Sequence, residues 1–320
     1  NIMKMMQALQ WDGKELQLNT VPVPAPDSGE VLVRLTKAGI CNTDLEILRG
    51  YYPFQGTLGH EFVGVVEQAE DDTLVGKRIV SDINSSCHQC AMCDAGNPHH
   101  CLNRTALGIK GSDGAFAEFL TTPAANLVMV PDTISDDMAV FAEPLAAAME
   151  IQEQVNFSAG VEIAVIGDGK LGLLITLSLI QAGHDVTLVG HHPERTERPG
   201  MTNLKFCSTA PERKFPVVIE ATGSSSGFTD ALNITAPLGT LVLKSTYEAP
   251  LNFNPAPLVV NEITLIGSRC GPMDKAVASM ASGAIDPTGL IEAAYPLEKS
   301  LSAVEHANVK GTLKILLTMQ

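Results

Sequence analysis

The stretch Ile163-Ala164-Val165-Ile166-Gly167-Asp168-Gly169-Lys170-Leu171-Gly172 decides the fold of the second half of the chain. Four apolar residues predict a buried strand, and the apolar run from Leu171 predicts a helix. Between them stands G-x-G-x-x-G, the glycine pattern of dinucleotide-binding βαβ units, although an incidental turn is the alternative. The residues predicted to contact the dinucleotide phosphates are Gly167, Asp168, Gly169, Lys170, Leu171 and Gly172.

The pattern of apolar, proline and glycine residues changes near Ser135. Before it, short β-type runs are separated by prolines and glycines, which predicts a mostly antiparallel β domain. After it, apolar strands alternate with helices, the pattern of a parallel, doubly wound sheet. The predicted class is therefore α/β, with a β-rich domain at 1–144, a Rossmann domain at 145–270, and a return of residues 271–320 to the first domain.

The charge balance narrows the set of partners. The 320 residues contain 21 Lys and Arg against 36 Asp and Glu, a net charge of -15. Such a molecule repels phosphate backbones and anionic lipid surfaces, so we expect neither nucleic acid nor a membrane as a partner. No apolar run has the length of a membrane span, and no secretory signal is visible, so a cytoplasmic location is expected.

Four of the seven cysteines lie within fifteen residues. Their spacing, C-x2-C-x2-C-x7-C, supplies four thiolates that close a tetrahedral zinc shell and leave no open position. The sequence therefore predicts a structural zinc, with a redox or disulfide role as the alternative. The predicted ligands are Cys87, Cys90, Cys93 and Cys101.

The end of the next predicted strand, Val186–Val189, should contact the adenosine ribose. NAD-binding proteins place an acidic residue there for the ribose 2′-hydroxyl, whereas this chain has Gly190. Basic side chains follow it, and cations attract a 2′-phosphate that a carboxylate would repel. NADP is therefore predicted, unless Glu194 binds the ribose of NAD and the basic residues are simply solvated. The predicted ribose contacts are Gly190, His191, His192 and Arg195.

Two segments carry further residues of metal-ligand type, Gly39-Ile40-Cys41-Asn42-Thr43-Asp44 and Gly59-His60-Glu61-Phe62-Val63-Gly64-Val65-Val66. With the cysteine lobe, the glycine pattern and the closing region, they make the chain resemble the zinc-containing medium-chain alcohol dehydrogenases. The similarity is greatest to the polyol and threonine dehydrogenase branches, and it covers nearly the whole chain. It implies that the β-rich domain is a GroES-like catalytic domain.

The resemblance implies that Cys41 and His60 bind a catalytic zinc. The third ligand, a cysteine in many members and a glutamate in polyol-type members, maps to Glu143. In relatives, the carboxylate at the position of Glu61 either binds the zinc directly or holds the site from outside the set of ligands. One thiolate, one imidazole and one carboxylate leave a fourth position for a substrate oxygen. Alternatively, Cys41 is a small buried residue, His60 is a hydrogen-bonded strand residue, and Glu143 is a charge on a helix surface.

The proton path is also implied by the resemblance. The Thr43 hydroxyl matches the group that hydrogen-bonds the substrate oxygen, and a hydroxyl both accepts and donates a proton. Glu46 stands where some relatives have a relay histidine, which leaves the outer end of the relay open. Asp44 is expected to orient His60 rather than to take part directly.

Three more residues match stretches that line the nicotinamide half of the cofactor in relatives. They are Thr222 and Gly223, after the predicted strand at 217–220, and Arg269. Arg269 would neutralise pyrophosphate charge, or it forms a surface ion pair. The segment between Gly190 and Val217 is short for this fold, so a helix there is expected to be abbreviated or missing.

Together these features predict an enzyme that moves hydride between NADP(H) and a secondary alcohol, polyol or sugar. The predicted cofactors are one catalytic zinc, one structural zinc and NADP, with NAD as the alternative. The competing hypotheses are an NAD-dependent polyol or L-threonine 3-dehydrogenase, a zinc-free quinone or enoyl reductase, and a non-catalytic protein on the same fold. The resemblance also implies a homodimer or homotetramer that acts on a small alcohol or carbonyl compound.

Overall fold

The computed structural model describes residues 4–50, 52–201, 204–247 and 250–319. The chain divides into two compact units, the first formed by residues 1–143 and 291–320 and the second by residues 144–290. The return to the first unit thus begins at Ile291, later than the predicted position 271. Residues 271–290 stay with the second unit, where Arg198 Nε donates a hydrogen bond of 2.5 Å to the Gly289 carbonyl.

The first part of the chain is mostly short strands with a few short helices. The strands are β1 (Met5–Trp11), β2 (Leu16–Pro22), β3 (Glu30–Gly39), β4 (Gly56–Thr57), β5 (Glu61–Gln68), β6 (Arg78–Ser81), β7 (Asn84–Ser85), β8 (Thr105–Leu107), β9 (Gly111–Ser112), β10 (Phe119–Pro123) and β11 (Leu127–Met129). The helices are α1 (Asn42–Leu48), α2 (Ala91–Asp94), α3 (Asp136–Ala139) and α4 (Ala142–Gln154).

The second unit alternates strands and helices as predicted. Its elements are β12 (Glu162–Ile166), α5 (Lys170–Gln181), β13 (Asp185–Val189), β14 (Lys205–Cys207), β15 (Phe215–Glu220), α6 (Ser225–Ile234), β16 (Thr235–Leu243), α7 (Ala256–Val260), β17 (Thr264–Gly267) and α8 (Met273–Ala281). The chain then forms β18 (Ile291–Pro296), α9 (Ser300–Ala307) and β19 (Lys314–Thr318) in the first unit.

The sheet of the second unit is parallel throughout. Its order is β14-β13-β12-β15-β16-β17, and each neighbouring pair is parallel. Apolar side chains from β12 and β15 pack on α6 through Phe228, which explains why these strands are continuous apolar runs. This doubly wound sheet confirms the predicted α/β class. The short segment after β13 contains a 3-10 turn at Pro193–Glu197 and then β14, and no α-helix among its described residues.

In the main sheet of the first unit, β5, β3 and β19 lie side by side in that order. Its order is β11-β6-β5-β3-β19-β18, with β10 also paired to β3. In this register Gly39 of β3 pairs with Glu61 of β5 on one side and with Leu316 of β19 on the other. The last strand of the chain therefore pairs with β3, which ends two residues before Cys41 and pairs on its other side with β5.

The segment that follows Ser135 forms two helices. The first, α3, ends at Ala139, and α4 begins at Ala142. Proline lacks an N–H and fits only the first turn of a helix, so Pro144 is compatible with a new helix and not with an unbroken one. Across the described residues, no helix has the length and apolar character needed to cross a bilayer.

Candidate active site

The predicted ligand Cys41 stands at the start of α1. It is the N-cap residue, and its backbone N–H donates to Asp44 Oδ2 at 2.8 Å. The other oxygen, Asp44 Oδ1, lies 3.2 Å from His60 Nδ1, and both side chains are buried. Asp44 thus fixes the start of the helix with one oxygen and faces the imidazole with the other, as predicted for an orienting residue.

His60 is placed by the glycine before it. Gly59 has φ 95°, in the left-handed region, and a side chain there would overlap the buried ring of Phe116. The turn therefore requires glycine, and it delivers His60 to a buried position just before β5. Burial alone would lower the pKa of His60, but the charges of Asp44 and Cys41 raise it well above its usual value.

Glu61 forms a buried ion pair that the sequence did not suggest. Its Oε2 bonds to Nζ of Lys314, which lies on β19, and both side chains are almost fully buried. A side chain on Gly39 would overlap Glu61 Oε2 and approach Lys314, so the glycine makes room for the pair. Burial alone would lower the pKa of Lys314, but the Glu61 carboxylate and Cys41 raise it, so the lysine stays charged.

The buried donor atoms fit a divalent cation. Ligand atoms of Cys41, His60 and Glu61 all lie within 4.8 Å of one another. In the described part of the chain, the buried Glu61 Oε1 has no hydrogen-bond partner, whereas His60 Nδ1 and Asp44 Oδ1 face each other. Buried polar atoms of this kind are costly unless something pairs with them. A thiolate, an imidazole and a carboxylate are the donor set of a catalytic zinc.

Glu143, predicted as the third ligand, lies near this group but not within it. The three clustered donors are Cys41, His60 and Glu61, while Glu143 stands in the first turn of α4. Desolvation raises the pKa of Glu143 to about 7, and the charge of His60 opposes that rise. Its carboxyl group therefore shares an electrostatic environment with the donors, and its ligand role stays a prediction.

The cysteine lobe has the geometry of a metal shell. The Sγ–Sγ distances are 3.6 Å for Cys90–Cys93, 3.8 Å for Cys90–Cys101 and 3.4 Å for Cys101–Cys87. A tetrahedral site with Zn–S bonds of about 2.3 Å spaces its sulfurs by about 3.8 Å, whereas a disulfide requires about 2.0 Å. Backbone N–H groups of Cys93 and Leu102 lower the pKa of Cys90 to about 6, whereas burial and the Cys90 side chain raise the pKa of Cys93 to about 11.

Replacing one lobe cysteine is expected to remove one zinc per chain. For Cys93→Ser we expect zinc content to fall by one and the free energy of unfolding to drop by at least about 3 kcal/mol, because structural zinc contributes folding energy directly. Metal analysis and denaturant titration measure both effects. Cys207→Ser, outside the lobe, is the control. Unchanged zinc in Cys93→Ser would refute the site.

The glycine loop of the second unit fits a dinucleotide. Gly167 has φ 113° at the turn, and a side chain on Gly172 would overlap the Gly167 carbonyl, so α5 packs closely there. A side chain on Gly169 would meet nothing within 4 Å, which leaves open the space that a pyrophosphate needs above the helix start. Lys170 and Leu171 open α5 directly behind it.

Among the predicted ribose contacts, Arg195 has a different environment from the one expected. Its guanidinium is buried, and Nη1 donates to the Asp168 carbonyl at 2.5 Å and lies 3.4 Å from Asp168 Oδ1. The backbone N–H groups of His191 and His192 donate to Asp168 Oδ2 at 2.8 and 2.7 Å. The prediction had Arg195 attract a 2′-phosphate, with a solvated loop residue as the alternative, whereas its guanidinium here hydrogen-bonds the glycine loop.

The predicted nicotinamide-side residues follow β15 and β17. Thr222 donates from its N–H and its hydroxyl to the fully buried Glu220, which also accepts from the Tyr247 hydroxyl. Gly223 has φ 66°, a turn conformation that suits glycine. Arg269 is exposed, and its carbonyl accepts from Lys244 Nζ at 2.6 Å.

Comparison with known proteins agrees with this geometry. Residues 27–132 match the alcohol dehydrogenase GroES-like domain. Over 97% of the chain and 96% of the relative, the sequence is 28% identical to D-arabinitol dehydrogenase 1 of Uromyces fabae. The β-rich first domain is therefore GroES-like, as predicted.

Two solved structures match nearly the whole chain, each with a TM-score of 0.89. One is described as a zinc-binding dehydrogenase of Sinorhizobium meliloti 1021 bound to NADP, 27% identical over 98% of this chain and 99% of that one. The other is an alcohol dehydrogenase, rspB, of E. coli CFT073 with NADH, 25% identical over 98% and 99%. Over nearly its whole length the chain is thus similar to zinc-binding and alcohol dehydrogenases, the proteins that its sequence motifs resemble.

Proposed function

We propose that the chain oxidises a polyol or related secondary alcohol, or reduces the matching carbonyl compound, by hydride exchange with NAD(P). The observation that carries the proposal is the cluster of half-buried Cys41 with buried His60 and Glu61, at the start of α1 and β5. A structural site needs no such open donor set, since the four-cysteine lobe already supplies a closed one. A zinc-free reductase or a scaffold has no use for it.

Each side chain in and around this cluster has a separate role in the proposed reaction. Zinc held here supplies Lewis acidity toward the oxygen of the alcohol or carbonyl group. Cys41 and His60 bind that ion, and Glu61 or Glu143 adds the carboxylate. Asp44 holds the His60 ring from its Nδ1 side, which keeps the ring in a fixed orientation.

Thr43 is the residue proposed to handle the proton. Its hydroxyl lies 3.8 Å from Cys41 Sγ, so it stands beside the ligand group, and its side chain is partly exposed. A hydroxyl accepts the proton of the alcohol while it donates its own, which lets it pass the charge outward. The glycine loop at 167–172 binds the dinucleotide that accepts the hydride.

The same proposal includes the assembly and the compartment. The edge strand β17 and its surroundings expose Leu238, Val259, Val260 and Leu265, an apolar surface that suits a homodimer or homotetramer. A mass measurement in solution tests the oligomer.

Because the lobe thiols must stay reduced to bind zinc, we also propose the cytoplasm, where a tagged chain should be found by fractionation.

A substrate panel tests the function. Zinc-loaded protein is incubated with NAD or NADP and with five-carbon polyols, simple secondary alcohols or 3-hydroxy amino acids, and reduced nicotinamide is followed by its absorbance. The D-arabinitol relative favours turnover of a polyol. No reduction of NAD or NADP with any alcohol, by protein shown to contain two zinc ions per chain, would refute the proposal.

The Thr43 hydroxyl gives a sharper prediction. Thr43→Val removes the hydroxyl at nearly constant volume, and we expect kcat to fall about 100-fold, since positioned proton transfer contributes at least that much. Thr43→Ser, which keeps the hydroxyl, should retain most of the rate. Zinc content should be equal in both variants. Equal rates for the valine and serine variants would remove Thr43 from the proton path.

A further inference from the structure

The end of β13 has an unusual arrangement around Gly190. Rossmann domains that bind NAD present an acidic side chain from this position to the ribose 2′-hydroxyl. Here the position has no side chain, and a Cβ on Gly190 would overlap the carboxylate of Asp168. A carboxylate therefore lies directly over the end of β13, but it comes from the glycine loop instead of from the strand.

The carboxylate is held firmly in this place. Oδ2 accepts the backbone N–H groups of His191 and His192, so the loop after β13 wraps around it. Burial alone would raise the pKa of Asp168, but the hydrogen bonds from His192 and the charge of Arg195 lower it. Asp168 is therefore ionised at neutral pH.

Oδ1 is the oxygen with looser partners. His192 Nδ1 lies 3.1 Å from it and Arg195 Nη1 lies 3.4 Å from it. The His192 side chain is 39% exposed, so it is the partner that a ribose hydroxyl can displace. Arg195 is buried against the Asp168 carbonyl and is committed to the loop.

We propose that Asp168 makes this chain select NAD over NADP, by offering its carboxylate to the ribose 2′-hydroxyl and repelling a 2′-phosphate. This inference rests on the proposed NAD(P)-dependent function. It reverses the cofactor preference predicted from the basic residues after Gly190, because those residues surround a negative charge.

Direct binding measurements test the assignment without any turnover. The dissociation constants of NADH and NADPH are measured by nicotinamide fluorescence and by calorimetry for the wild type, Asp168→Asn and Asp185→Asn. Asp185 is an exposed carboxylate at the other end of β13, where it pairs with Lys205, so its variant controls for a general change of charge.

We expect the wild type to bind NADH at least about tenfold more tightly than NADPH, as a fixed charge near a dianion implies. Asp168→Asn should reduce this ratio about tenfold, and Asp185→Asn should leave it unchanged. Tighter binding of NADPH by the wild type would overturn the assignment, and that result needs no variant to fold. An unchanged ratio in folded Asp168→Asn would also overturn it. Failure to bind either cofactor would instead refute the proposed function.

Discussion

Cys41→Ser is expected to lower kcat at least about 1,000-fold and to remove one of the two zinc ions from each chain. The thiolate is one of three clustered donors, and its loss weakens the only open site among the described residues. Lewis-acid stabilisation by a metal is worth several kcal/mol in the transition state, and each 1.36 kcal/mol corresponds to about tenfold in rate. Metal analysis and steady-state kinetics on the same samples measure both effects.

The control for this prediction is Cys270→Ser, which changes a cysteine outside both clusters. It should keep two zinc ions and normal turnover. Cofactor binding should survive in Cys41→Ser, because the glycine loop belongs to the second unit. If Cys41→Ser keeps both zinc ions, Cys41 is not a ligand. If it loses one zinc and keeps its activity, the metal has no part in the reaction.

Lys314→Met is expected to lower the free energy of unfolding by about 3 to 5 kcal/mol at matched zinc content. Removal of one partner leaves the buried Glu61 carboxylate without a countercharge, which is the costly way to break a buried pair. Methionine is close to lysine in volume, so packing beside Phe141 is largely kept. Denaturant titration measures the change.

Two comparisons isolate the charge effect. Lys275→Met breaks an exposed pair with Glu153, and it should cost no more than about 1 kcal/mol. The double variant Lys314→Met with Glu61→Gln removes both charges and should recover part of the lost stability. A Lys314→Met variant as stable as Lys275→Met would show that the buried pair contributes little.

Much of the fold was predictable because local patterns determine it. The apolar strand at 163–166 and the glycines that follow it predict a βαβ unit, and the second unit contains one. The cysteine spacing predicted a closed shell for the same reason, since all four ligands lie in one short segment. The domain return at Ile291 was harder to place, because α8 is amphipathic and both units offer apolar surface.

The features that were not predicted from the sequence depend on contacts between residues that are far apart in the chain. Lys314 is 253 residues from Glu61, and only the β5-β3-β19 register brings them together over Gly39. Asp168 occupies a variable position of the glycine pattern, and only its fit over Gly190 reveals the carboxylate at the ribose position. The position of Glu61 within the donor group, with Glu143 beside it, likewise depends on where separate elements place their side chains.

Transfer of deuterium from the alcohol to the cofactor tests the central claim most directly. The best substrate from the panel is prepared with deuterium on its carbinol carbon and oxidised by zinc-loaded protein, and the reduced cofactor is analysed by mass spectrometry and NMR. We predict that the deuterium appears at C4 of the nicotinamide, and that Cys41→Ser forms almost no labelled cofactor. Reduced cofactor without deuterium, or equal labelling by Cys41→Ser, would contradict zinc-dependent hydride transfer.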